Sequence, residues 1–157
     1  MESNSEQFQP TYLTSEGQKK IQEKLEKLKS ERPQIAARIN AAKEMGDLAE
    51  NTEYTTAKEE QSRIESEINR LENLLRTAQI VEKDNEGVVG IGTEIILKSN
   101  NKTYKYILVG PEEVNLEEGK ISYESPLGKS LINKRQGEEV ESSTPKGRVK
   151  YKITEIK

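Results

Sequence analysis

The chain has 157 residues, 34% of them charged and 31% hydrophobic, with a formal net charge of -3. It contains neither cysteine nor histidine, which excludes disulfides, thiolate metal sites and cysteine nucleophiles, and removes the commonest general base and the usual zinc ligand. The acidic balance argues against a non-specific DNA coat, and no apolar run is long enough to span a membrane.

The opening segment, Met1 to Pro10, is polar and lacks the apolar stretch of a signal peptide, so a cytoplasmic location is expected. From about Ser15 to Ala78 the apolar residues recur with coiled-coil spacing. In the first arm they are Ile21, Leu25, Leu28, Ile35, Ile39 and Ala42, with Arg32 as an off-type seam position. In the second arm Tyr54, Ala57, Gln61, Ile64, Ile68, Leu71, Leu75 and Ala78 continue the same rhythm, with Gln61 as a polar position. Two such stripes bury themselves on each other. Between them Met45-Gly46-Asp47-Leu48 holds the one glycine of the middle of this segment and predicts a tight turn. Each arm is roughly 30 residues, or about 45 Å of helix. Ser15 with Gln18 offers a capping box, and Pro33 predicts a kink or short break.

After Glu82 the pattern changes. Lys83 to Gly87 reads as a linker, followed by β-branched runs at Thr93–Lys98, Thr103–Val109, Lys120–Tyr123 and Arg148–Ile156. A short helical turn is expected at Ser130–Asn133. The last strand alternates, with Val149, Tyr151 and Ile153 on one face and Arg148, Lys150 and Lys152 on the other. The expected fold is α+β: an antiparallel coiled-coil hairpin over 1–82, then a small antiparallel β domain over 83–157.

The residues with chemical potential gather at the hairpin turn, where Glu44, Asp47, Glu50 and Glu53 precede Tyr54. Two readings stand side by side. Asp47 with Glu50 has the spacing of a capping box, and acids suit the first turn of a helix. Alternatively, the pair supplies oxygen ligands to a divalent cation such as magnesium, completed by groups from a partner. Lys43 and Lys58 flank the turn, either steering an RNA phosphate or pairing with nearby acids.

Gly46-Asp47-Leu48-Ala49-Glu50-Asn51-Thr52-Glu53-Tyr54, with Ala57-Lys58-Glu59 after it, resembles the tip motif of the Gre transcription elongation factors, closest to the GreA type. Leu13 to Gly17 resembles the family's helix entry, and Ser125-Pro126-Leu127-Gly128-Lys129 and Thr144-Pro145-Lys146-Gly147 its C-terminal signatures. The resemblance implies a hairpin that enters the secondary channel of bacterial RNA polymerase and an FKBP-like domain that docks outside. It implies that Asp47 and Glu50 stabilise the second catalytic magnesium and position the attacking water at the nascent RNA 3′ end, supported by Asn51, Glu53, Tyr54, Lys43 and Lys58. The polymerase then owns the active site, on DNA-bound complexes, and this chain is an activator rather than an enzyme, acting as a monomer. Arg148, Lys150 and Lys152 are candidate docking contacts. The sequence departs from the family pattern at Asn133 and Lys146, where glycine is usual, and in its basic last strand.

Three rival readings lead to different expectations. An inhibitory Gre-like protein would occupy the same channel without stimulating cleavage, although the Asp-Leu-x-Glu-Asn order favours cleavage. A prolyl isomerase would need an aromatic pocket, but the chain has no tryptophan and its single phenylalanine, Phe8, precedes the hairpin. A passive coiled-coil adaptor would be indifferent to loss of the tip carboxylates.

Overall fold

The computed structural model describes residues 10–47, 50–83 and 86–157. Contacts divide the chain into two compact units. One is Lys19–Thr77; in the other, the segment up to Gln18 joins Ala78–Lys157.

The helical unit consists of α1, Ser15–Glu44, and α2, Thr52–Thr77. The start of α1 differs from expectation by one residue. Ser15 is already helical, and the cap is Thr14, whose Oγ1 accepts from Gly17 N at 3.0 Å. Pro33 lies inside α1, which continues through it, so of the expected kink or short break the break does not occur. Loss of one backbone donor costs about 3 kcal/mol, and the apolar seam on either side of the proline offsets it. Burial follows that seam at Ile21, Leu25, Ile35, Ile39 and Ala42, and again at Ala57, Ile64, Ile68 and Leu71. Two positions depart from the expected register. Leu74 is buried where Leu75 was expected, and Leu75 is only half-buried. Arg32 is exposed, and its Nε and Nη2 donate to the two carboxylate oxygens of Glu65 at 2.8 Å each.

The cross-helix pairs give the direction of packing. Lys24 meets Glu67, Arg32 meets Glu65, and Arg38 meets Glu60, so partners descend α2 as they ascend α1 and the arms are antiparallel. Burying one isoleucine or leucine contributes about 1.5–3 kcal/mol. Exposed ion pairs contribute little, because water and salt screen them. The seam therefore holds the hairpin together, and the flanking pairs set its register.

In the other unit, β1 (Tyr12–Thr14) pairs in parallel with β2 (Gln79–Val81), Leu13 facing Ile80. A five-stranded sheet is built from β3 (Glu94–Ser99), β4 (Lys102–Val109), β5 (Lys120–Ser122), β6 (Glu139–Thr144) and β7 (Gly147–Ile156), in the order β5-β4-β3-β7-β6. Asn100 and Asn101, both with positive φ, make the two-residue turn between β3 and β4. The sheet is mixed rather than wholly antiparallel, because β5 runs parallel to β4. A 3-10 turn at Pro111–Glu113 and the loop after it carry the chain back to make that crossover. The short helix α3 is Pro126–Leu131, earlier than the expected Ser130–Asn133, with Ser125 as its cap. Val89, Ile95, Leu97, Leu108, Ile121, Leu131, Val140 and Ile153 form the core.

Candidate functional site: the hairpin tip

At the end of α1 the chain must reverse within a few residues. Gly46 has φ 120, a conformation that side chains rarely adopt, and this is the local reason for a glycine between Met45 and Asp47. Met45 N closes the last turn of α1 on Ala42 O at 3.2 Å. Lys43 sits in that last turn, where a cation suits the negative end of the helix dipole.

The start of α2 bears on the capping reading of the acidic pair. The helix begins at Thr52, and its cap is Asn51, whose Oδ1 accepts from Tyr54 N at 3.1 Å. Asp47 and Glu50 therefore lie outside the helix, and the expected Asp47–Glu50 capping box is not the start of α2. Both residues are exposed. Leu48 and Ala49, part of the tip motif, lie outside the described residues. Asn51 makes a second bond from its other end: Nδ2 donates to Ala42 O at 2.6 Å, linking the last turn of α1 to the first of α2. One amide thus spans the loop.

The remaining acids differ in their surroundings. Glu44 ends α1 and is exposed. Glu53 is tied back to α1 through Arg38 Nη2 at 3.1 Å, and Arg38 also bonds Glu60. Tyr54 is half-buried and packs on Ile35, Ile39 and Ala57. Lys58 donates to Gln61 at 3.3 Å, so neither pairing with Glu44 nor a bare cation describes it. Arg38 was missed by the periodic reading, because it lies on the flank of the seam. The signal that could have found it is the acid at the matching flank of the other arm.

Two exposed carboxylates on one loop fit a hard cation by the chemistry of their donors. Two are fewer than such an ion takes, and among the described residues no group of three or more acids converges as a metal site.

The basic row on the last strand has neighbours the sequence reading did not anticipate. Arg148, Lys150 and Lys152 are exposed and alternate with Val149, Tyr151 and Ile153 as expected. In register, however, Lys152 faces Glu139, Lys150 faces Glu141 and Arg148 faces Ser143 on β6. Arg148 also lies 4.0 Å from Glu141. The row is therefore flanked by acids. Tyr104 stacks on Tyr106 with ring centroids 6.1 Å apart, and Tyr151 meets Tyr104 edge-on at 5.9 Å. These rings pack against the core, and burial pushes the Tyr106 hydroxyl's pKa up.

Comparison with known proteins adds an independent line. Residues 11–80 match the family described as "Transcription elongation factor, N-terminal", and residues 83–157 match "Transcription elongation factor, GreA/GreB, C-term". The chain is 44% identical over 151 residues to transcription elongation factor GreA of Thermosipho melanesiensis, covering 93% of this chain and 96% of that protein. It is 41% identical over 148 residues to GreA of Bacillus subtilis, covering 92% and 94%. Among solved structures it is similar to GreA factor homolog 1 (Gfh1) of Thermus thermophilus, at 28% identity and a TM-score of 0.45, covering 95% of this chain and 99% of that one.

Proposed function

The chain belongs to the GreA/GreB family of transcription elongation factors, and on that premise we propose that its hairpin tip donates Asp47 and Glu50 to the active site of a backtracked bacterial RNA polymerase. The protein activates the polymerase's own cleavage of the nascent RNA 3′ end and is not itself a nuclease. The observation that carries this reading is the start of α2 at Thr52 with Asn51 as its cap. Asp47 and Glu50 therefore precede the cap of α2, and both are exposed at the turn between the arms.

Asp47 and Glu50 would hold a magnesium ion jointly with polymerase groups. When bound, magnesium lowers the pKa of a water and offsets charge developing on phosphate oxygens. The task of this chain is to bring two anionic oxygens to the site and hold them there. Two carboxylates bind such an ion weakly, so the complete ligand set exists only in the complex. The hairpin reaches the site through the secondary channel, while the β unit docks outside, with Arg148, Lys150 and Lys152 as candidate contacts. The inhibitory alternative is not favoured, since the relatives at 41–45% identity are GreA factors.

The test is isosteric. Asp47→Asn and Glu50→Gln keep size and remove the negative oxygen. Because neither residue caps α2, stability should stay within about 0.5 kcal/mol. Polymerase-dependent cleavage should fall by at least the about 10–100-fold seen when even outer ligand-supporting groups are removed. Raising magnesium should partly rescue the weaker variant, and polymerase binding should persist. Cleavage at the wild-type rate by both folded variants would show the carboxylates to be dispensable.

A further inference from the structure

We infer that Asn51 is a positioning residue that sets where Asp47 and Glu50 stand, an inference that rests on the tip being the working end of the molecule. Its amide performs two separate tasks. The oxygen caps α2 at Tyr54 N, and the nitrogen holds the carbonyl of Ala42 in the last turn of α1. That carbonyl also accepts from Met45 N, so the exit from α1 and the entry to α2 converge on one buried residue, since Ala42 is 1% exposed. The backbone carbonyl of Asn51 meanwhile receives Thr55 N at 3.1 Å and Thr55 Oγ1 at 3.2 Å, fixing the residue from the helix side.

An ordinary helix cap needs only the oxygen. The bond from Nδ2 spans nine positions of sequence and contributes nothing to helix initiation. Its effect is to pin both ends of the loop that carries Asp47 and Glu50. Ordering a loop costs roughly 1–2 kcal/mol for each residue fixed, and a closed tether takes part of that cost in the free protein rather than at the moment of reaction. Asn51 is thus distinguished from aspartate, which caps as well but lacks a donor, and from serine or threonine, whose shorter hydroxyl caps but has no amide to extend to Ala42 O.

Asn51→Asp and Asn51→Ser retain the cap and lose the tether, whereas Asn51→Ala loses both. In the free protein, backbone hydrogen exchange over residues 43–50 should accelerate in Asn51→Asp and Asn51→Ser, while α2 amides beyond Ala57 keep wild-type protection. This arm is independent of cleavage, so it separates failure of the tether from failure of the functional reading. With stalled polymerase, both variants should lower the maximal cleavage rate at saturating factor by about 10-fold or more, the scale of losing a group that orients a ligand. The factor concentration for half-maximal effect should change by less than a factor of two. A residue that only caps predicts wild-type behaviour for Asn51→Asp and Asn51→Ser and a defect only for Asn51→Ala. Unchanged exchange in the loop of both cap-retaining variants, or wild-type cleavage by Asn51→Ser, would overturn the inference.

Discussion

Gly128 lies so near the strand before it that an added Cβ would stand 2.0 Å from Ser122 O and 2.9 Å from Tyr123 Cα. The neighbours are backbone and cannot swing aside. Gly128→Ala should therefore destabilise the sheet unit by about 1–3 kcal/mol, as forced overpacking does, although alanine is intrinsically the better helix former; denaturant unfolding measures it. Asn133 shows the opposite tolerance. It has φ 64, and its N–H donates to Val89 O at 2.9 Å. Asparagine enters this region more readily than other side chains, so the departure from glycine is accommodated in place. Asn133→Gly should be near neutral and Asn133→Ala should cost about 1–2 kcal/mol. The acids of the tip were legible at this scale because charge clustered where the helical pattern paused. That the pair does not begin α2 was not, because Asp47–Glu50 and Asn51–Tyr54 are both plausible starts and only the backbone chooses between them.

Along the helices, the seam could be read from spacing because burial and sequence share one period. The errors fell where that period is broken. Arg32 has a stem long enough to leave the seam and bind Glu65, and the change from Leu75 to Leu74 is a drift of one residue near the end of α2. Strand β6 was invisible because its inward positions include Val140 and Ser142, so only one large apolar side chain marks it. Strands β1 and β2, three residues each, are too short to show a period. Two predictions belong here. Glu67 is held down to about 2 from its usual 4.5, first by the hydrogen bond from Arg70 and next by that from Lys24. A lowered folded pKa means its contribution is present above 4.5 and lost as pH falls toward 2. The melting-temperature difference between wild type and Glu67→Gln should therefore be widest near neutrality and vanish toward pH 2. Removing one heptad from each arm in register should preserve the fold and polymerase binding but shorten the hairpin by roughly 10 Å. A ligand must sit within about 2 Å of its cation, so cleavage should be abolished. The shortened protein tested on stalled polymerase decides this.

Under the proposed function, the whole chain supplies two ligands to a site that the polymerase completes, rather than carrying a site of its own. Purified full-length chain with magnesium should leave naked RNA intact, because two carboxylates cannot assemble the ligand set without the polymerase; gel analysis of labelled RNA measures it. The pairing of β1 with β2 has a further consequence, for the order of folding. The two strands are matched from Tyr12 with Gln79 to Thr14 with Val81, yet the entire helical hairpin lies between them in sequence. Joining them in a formless chain means closing a long loop, an entropic cost that grows with the logarithm of its length. The hairpin forms from contacts nearer in sequence, and a chain rich in such contacts folds fast. Once its antiparallel arms have zipped, the long closure becomes a short one. Weakening the seam at Ile64 or Ile68 should then slow the refolding of a sheet in which no residue has been altered.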